Sequence, residues 1–106
     1  MEEMTHCTSL DAARNEAIKW LERKGAVFGP HRDIQIGQLG VMAGSETGVY
    51  STAGPYWRIR LDFDTTKGAH YNVEYGKGAQ RAKHAFAFPA SEEMMARIAG
   101  RREPRG

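Results

Sequence analysis

Residues 56 to 88 hold the strongest pattern in this sequence, because apolar and polar side chains alternate there along three consecutive segments. Alternation with a period of two is typical of a β-strand that has one buried and one polar face. The segments run from Trp57 to Asp64, from His70 to Tyr75 and from Lys83 to Phe88. Short connections between strands favour antiparallel neighbours. The sequence therefore predicts a three-stranded meander at the centre of the domain.

Helical signals flank this meander on both sides. Before it, Thr8-Ser9-Leu10-Asp11 predicts a helix that starts at about residue 9, and Gly25 is placed to end that helix in a left-handed cap. After it, Pro89 stops the last strand, and Ser91 predicts a second, short helix over residues 91 to 100. We therefore expect an α+β fold in which the N-terminal helix and the short C-terminal helix pack on one face of a small antiparallel sheet.

The region between the first helix and the meander gives a weaker signal. Residues 31 to 38 can form a short strand through Ile34 and Ile36, whereas residues 37 to 55 are rich in glycine and predict a long loop, with or without one short strand. A length of 106 residues fits one domain over residues 1–106. Residues 1–7 and 101–106 are expected to fray at its ends.

Composition excludes several classes of protein. The chain has one cysteine, Cys7, so it can form neither an internal disulfide nor a multi-cysteine zinc site. Its histidines do not have metal-ligand spacing, and we expect neither a metal nor a cofactor. There is no apolar run of the length that spans a bilayer, and the N-terminus lacks the pattern of a signal peptide. A soluble domain without a membrane anchor is the expectation.

Charge is distributed unevenly along the chain. Residues 1–75 carry 8 basic and 10 acidic groups, whereas residues 76–106 carry 7 basic and 3 acidic groups. The basic excess at the C-terminal end fits either a solvated helix and tail or a surface that faces phosphates.

The polar face of the meander is the candidate site. If the apolar residues of the three strands share the core, the opposite face collects Arg58, Arg60, His70, Asn72, Glu74 and Lys83. Cleavage of RNA by attack of its own 2′-hydroxyl needs a proton acceptor, a proton donor and fixed positive charge, which histidine, glutamate and arginine supply without a metal. Asp62 alternates onto the same polar face, and the alternative interpretation is that Arg58, Arg60, Asp62 and Glu74 form cross-strand ion pairs on a wet sheet face.

The second half of the sequence also resembles a known group of proteins. The run Asp64-Thr65-Thr66-Lys67-Gly68-Ala69-His70-Tyr71-Asn72-Val73-Glu74, then Gly76-Lys77-Gly78 and Lys83-His84-Ala85-Phe86-Ala87-Phe88-Pro89, resembles the end of C-terminal toxin domains from bacterial polymorphic toxin systems. Those domains are similar to the small metal-independent ribonucleases grouped with barnase, EndoU, the tRNA-cleaving colicins and RelE. The resemblance covers roughly residues 56 to 100.

The resemblance implies a function and partners. It implies a ribonuclease effector that cleaves RNA, such as tRNA, is delivered as part of a larger secreted toxin, acts in the cytoplasm of a target cell and is neutralised by an acidic immunity protein. The alternatives are a non-enzymatic RNA- or protein-binding module and a cytoplasmic location. The resemblance carries over only onto His70, Asn72 and Glu74, which lie inside the matching strand, whereas Arg58, Arg60 and Lys83 follow from the alternation. We expect His70 to transfer a proton, Glu74 to assist it and an arginine to hold the scissile phosphate. The predicted catalytic residues are His70, Glu74, Arg58 and Arg60, and the predicted substrate-binding residues are Asn72, Lys83, Lys77 and Arg81.

Overall fold

Six strands and two helices follow one another along the part of the chain that a computed structural model describes, residues 3–30, 32–36, 42, 44–66 and 68–102. In chain order they are β1 (Glu3–His6), α1 (Leu10–Lys24), β2 (Arg32–Ile36), β3 (Glu46–Ser51), β4 (Trp57–Asp64), β5 (Gly68–Tyr75), β6 (Ala82–Phe88) and α2 (Glu92–Arg102). A single turn of 3₁₀ helix, Gly78–Gln80, precedes β6. The strands form one sheet in the order β1-β6-β5-β4-β3-β2.

The predicted meander is confirmed as β4, β5 and β6, which are antiparallel neighbours at the centre of the sheet. Ile59 lies opposite Val73, and Tyr71 lies between Leu61 and Phe86. These apolar side chains all face the core, because side chains of the same parity share one side of a pleated sheet.

Helix α1 begins and ends where its cap residues allow. The Ser9 hydroxyl accepts a hydrogen bond from the backbone N–H of Ala12 at 3.1 Å, which satisfies one of the free donors of the first turn. At the other end Gly25 adopts φ 113°, a left-handed conformation that favours glycine, and its N–H donates to the carbonyls of Leu21 and Glu22. The predicted bounds of this helix are therefore confirmed to within a residue or so.

Both helices pack on the apolar face of the sheet, as expected for the predicted α+β fold. Ala13, Ala17 and Leu21 of α1 are fully buried against the meander, and Met95 and Ala99 of α2 complete the same core. Ser91 caps α2 by accepting from the Met94 N–H at 3.1 Å. The core also contains Met42, Trp57, Ile59, Leu61, Ala69, Tyr71, Val73, Phe86 and Phe88.

The expectation of fraying is wrong for residues 3–6, which form β1 at the edge of the sheet, whereas residues 1 and 2 lie outside the described residues. β1 runs parallel to β6, with Glu3 opposite His84 and His6 opposite Ala87, so the sheet is mixed rather than wholly antiparallel. A hydrogen bond of 2.8 Å joins Thr5 Oγ1 to His84 Nε2, and the Cys7 N–H donates to the Ala87 carbonyl at 2.7 Å. This strand is held by its partner, not by apolar side chains of its own.

The opposite edge of the sheet contains the weakly predicted elements. The short strand is confirmed as β2, and the glycine-rich region contains β3, which pairs with both β2 and β4. Gly48 of β3 passes so close to β4 that a Cβ atom there would collide with the Ile59 carbonyl. Residues 31, 37–41, 43 and 103–106 lie outside the described residues, so part of the predicted loop and most of the predicted tail do too. Arg101 and Arg102 end α2.

Candidate functional site

The strand register brings most of the predicted site residues together on the face that turns away from the core. Arg58 lies opposite Glu74, Arg60 opposite Asn72, and Asp62 opposite His70. On the other side of β5, Lys83 lies opposite Glu74, and two small residues, Ala85 and Ala87, lie opposite Asn72 and His70. We call the linked side chains of Arg60, Asp62, His70 and Asn72 the central cluster.

Hydrogen bonds in the central cluster fix the tautomer of His70. Its Nδ1 lies 2.9 Å from the carbonyl oxygen of Gly68, which can only accept, so Nδ1 carries the proton. Its Nε2 lies 3.1 Å from Nδ2 of Asn72, which can only donate, so Nε2 accepts. Both contacts fit the tautomer that carries its proton on Nδ1 and its lone pair on Nε2.

Asn72 connects this histidine to an ion pair on β4. The same Nδ2 that contacts His70 also donates to Oδ2 of Asp62 at 3.5 Å. That carboxylate oxygen accepts a second hydrogen bond from Nε of Arg60. The ion pair is buried, since Arg60 retains 6% of its accessible surface and Asp62 none. Nη1 of Arg60 is also buried, and it has no hydrogen-bond partner within the described residues.

A second group of charges lies at the other end of the same face. Glu74 Oε1 accepts from Nη2 of Arg58 at 2.8 Å, and Oε2 lies 3.9 Å from Nη1 of Arg81. Glu74 is four residues from His70 along an extended strand, a separation of about 13 Å at the usual rise per residue. Glu74 therefore orients two arginines and is too far away to assist His70, which corrects the expectation that it acts on the histidine.

The predicted substrate-binding residues are divided between this face and its edge. Asn72 belongs to the central cluster, Arg81 to the group around Glu74, and Lys83 is exposed on β6 beside that group. Lys77 does not join this face. It lies in the turn after β5, where its Nζ is 5.1 Å from the centroid of the Tyr56 ring. The structure thus brings seven of the eight predicted residues to one face.

Asp62 is the site residue that sequence reasoning missed. Its alternation with Arg58 and Arg60 placed it on the polar face, but the pattern gave it only the role of an ion-pair partner. The structure makes it an acceptor for both Arg60 and Asn72 at the middle of the site. Its position directly across from His70 becomes visible only once the register between β4 and β5 is known.

The polar face is also less exposed than an ordinary wet sheet face. His70 and Asp62 each retain 0% of their accessible surface, and Glu74 retains 6%. Of the ion pairs in the alternative interpretation, Arg58–Glu74 joins two strands and is only partly buried at Arg58, whereas Arg60–Asp62 lies within β4 and is buried. Alternation reports which side of a sheet a residue occupies, whereas the depth of its burial depends on neighbours along and across the strands.

Two features of the described residues bear on the class of site. No group of three or more His, Cys, Asp or Glu side chains is arranged to hold a metal ion within residues 3–30, 32–36, 42, 44–66 and 68–102. Neither helix in that part of the chain has the length and apolar character needed to cross a membrane.

Comparison with known proteins adds no relative. No protein-family model matches this chain, and no curated protein matches its sequence significantly.

Proposed function

We propose that this domain is a metal-independent ribonuclease whose active site is the central cluster, with Arg58 and Arg81 beside it. The observation that carries the proposal is the orientation of His70. A backbone carbonyl holds the proton on Nδ1, which leaves Nε2 as the acceptor that faces the functional side chains of the sheet. This is the tautomer that a general base at Nε2 requires.

The proposed reaction begins when the 2′-hydroxyl of RNA replaces the amide of Asn72 at Nε2. His70 takes the hydroxyl proton, and the 2′-oxygen forms a bond to the adjacent phosphorus. The bond from phosphorus to the 5′-oxygen breaks, its electron pair stays on that oxygen, and water supplies the proton. The products are a 2′,3′-cyclic phosphate and a 5′-hydroxyl.

Arg60 is the proposed ligand of the scissile phosphate. Its Nη1 is a buried donor without a partner in the described part of the chain, and leaving such a donor unpaired is costly. A phosphate oxygen would satisfy it while Nε keeps its bond to Asp62. Arg58 and Arg81 would contact flanking phosphates, because Glu74 already holds both at one end of the face.

Burial of the cluster adds a requirement to this mechanism. His70 and Asp62 are inaccessible, so RNA reaches Nε2 only after the side chain of Asn72 has rotated away. Asn72 is then a gate: its amide satisfies His70 and Asp62 while the site is empty. The proposal thus assigns Asn72 a positioning role and assigns His70 the proton transfer.

The test is RNA cleavage in EDTA by purified wild-type protein and by His70→Asn. An asparagine amide can keep the donor to the Gly68 carbonyl but has no atom at the place of Nε2, so the variant is designed to stay folded. General bases typically contribute about 10² to 10⁴-fold in rate, and we expect a loss of that size. His84→Asn is the matched control, because His84 contacts Thr5 and Phe86 on the other side of the sheet.

Full cleavage by folded His70→Asn would refute the role of this histidine. Wild-type protein that binds RNA but leaves it intact would instead favour the second candidate, a non-enzymatic RNA- or protein-binding module. That candidate is favoured by one observation: His70 and Asp62 are inaccessible, whereas Arg81 and Lys83 are at the surface.

We also propose that an acidic immunity protein is the natural partner of these basic residues. The domain would be delivered as part of a larger toxin. Arg58, Arg81 and Lys83 present positive charge at one end of the face, which an acidic surface would complement. Such a partner would inhibit by covering the route that RNA takes to the central cluster.

A further inference from the structure

A cavity of about 480 Å³ lies on the helix side of the sheet, where it is separated from the central cluster by the sheet itself. Its walls come from α1 and from the strands β3 to β5, with Phe28 and the start of β2 at its rim. Small-molecule sites commonly have volumes of about 300 to 1,000 Å³, so this cavity is large enough for a small organic ligand.

The cavity arises because α1 covers only part of the apolar face. This helix contacts β4, β5 and β6, and α2 contacts β3. The apolar surface between them is left as a recess lined by Ile18, Phe28, Val49, Ile59 and Tyr71. An apolar recess of this kind favours a ligand with an aromatic or aliphatic body.

Charged side chains at the cavity indicate the charge that its ligand would carry. Arg14 of α1 and Arg32 of β2 both line it, and among the described residues Glu46 is the one acidic side chain in its lining. Two guanidinium groups against one carboxylate leave an excess positive charge, and guanidinium is matched in geometry to carboxylate and phosphate oxygens.

One buried polar atom in the cavity wall has no hydrogen-bond partner in the part of the chain that the structure describes. Thr47 lines the cavity, and its Oγ1 is buried without a hydrogen-bond partner within the described residues. Buried hydroxyls in native proteins are nearly always paired, so this one requires an explanation. Rotation about the Cα–Cβ bond of Thr47 would turn the hydroxyl toward a ligand, and the ligand would then satisfy it.

From these features we propose that the cavity is a binding site for a small amphipathic anion, an organic acid with an apolar body. The apolar side chains would hold the body, Arg14 and Arg32 would hold the acid group, and Thr47 would contact a polar atom of the ligand. This site is independent of the proposed ribonuclease, since its residues face the opposite side of the sheet from His70 and Arg60.

Phenylbutyrate is the probe that tests the proposal, with its neutral amide, phenylbutanamide, as the control of equal shape. Both are titrated into the full chain while backbone amide resonances are followed by NMR. We expect saturable shifts at Gly48, Val49 and Ile59 with phenylbutyrate and much weaker binding of the amide. Shifts centred on His70 and Asn72, or no saturable shift at all, would overturn the proposal.

Variants distinguish the contribution of charge to ligand binding from the contribution of cavity shape. Combined Arg14→Gln and Arg32→Gln should weaken phenylbutyrate binding about tenfold or more, as expected when charge-assisted hydrogen bonds are lost. Arg23→Gln is the matched control, because Arg23 is an exposed arginine of the same helix that does not line the cavity. Val49→Phe should block binding by filling the recess. Equal affinity of the double arginine variant and the wild type would overturn the assignment of an anion.

Discussion

Removal of the Asp62 carboxylate tests the energetics of the central cluster most directly. In Asp62→Ala the guanidinium of Arg60 loses the acceptor of its Nε, and its Nη1 already has no partner in the described part of the chain. A buried cation would then be left without its counter-charge. Asn72 would also lose one of its two acceptors.

The expected cost follows from these two losses. Breaking a buried ion pair on one side destabilises a protein by about 3 to 5 kcal/mol, and an unmet buried hydrogen bond adds about 1 kcal/mol. Native domains are stable by about 5 to 15 kcal/mol, so Asp62→Ala should consume much of that stability. The combined change Arg60→Met with Asp62→Leu removes both charges and should cost less than the single change, since apolar pairs often replace buried ion pairs without loss.

Urea unfolding followed by tryptophan fluorescence measures the free energy of unfolding of the wild type, Asp62→Ala, the double variant and one control. Asp11→Ala is the control, because Asp11 is exposed in the first turn of α1 and its removal should cost under about 1 kcal/mol. The double variant should remain folded and yet lose RNA cleavage if Arg60 binds the phosphate. A double variant at least as unstable as Asp62→Ala would contradict this prediction, since removal of the unpaired Arg60 charge would then have recovered no stability.

Two further predictions concern the core and the thiol. Leu61→Ala should lower the free energy of unfolding by about 2 to 5 kcal/mol, because Leu61 is fully buried. Met94 is exposed, so the control Met94→Ala should change it little. An unchanged urea midpoint for Leu61→Ala would place that face of the strand outside the core. Burial, helped by the negative charge of Glu16, raises the pKa of the Cys7 thiol above its usual range, and the thiolate is the reactive form. Iodoacetamide should therefore alkylate Cys7 in the folded protein more slowly at pH 7 than it alkylates free cysteine, with a rate that continues to rise at alkaline pH. Equal rates at pH 7 would contradict the assigned environment.

The parts of the fold that were predicted correctly are those that local sequence specifies. The alternation around Ile59 and Val73 fixes two strands and their faces, and Ser9 and Gly25 fix the ends of α1, because both signals act within a few residues. β1 was missed because its four residues are all exposed, and its stability depends on a partner strand far away in the chain.

The sequence predicted which residues share the polar face, but not which of them form hydrogen bonds with one another. Periodicity collected Arg60, His70 and Asn72 on one face, yet it gave no information on which of them would share hydrogen bonds. It also suggested that Glu74 serves His70, whereas the register assigns Glu74 to Arg58 and places Asp62 across from the histidine. Burial of the cluster is a property of the assembled sheet, so a pattern within single strands does not contain it.

The parallel pairing of β1 with β6 has a consequence for how the domain is assembled. The Thr5–His84 contact joins residues 79 positions apart, so the sheet is complete only after nearly the whole chain is present. Pairings of such long range tend to form late in folding. Until β1 is in place, β6 presents an unpaired edge, and edges of this kind are templates for association between chains. A protein shortened by its first six residues should thus aggregate while refolding even where its central meander has formed.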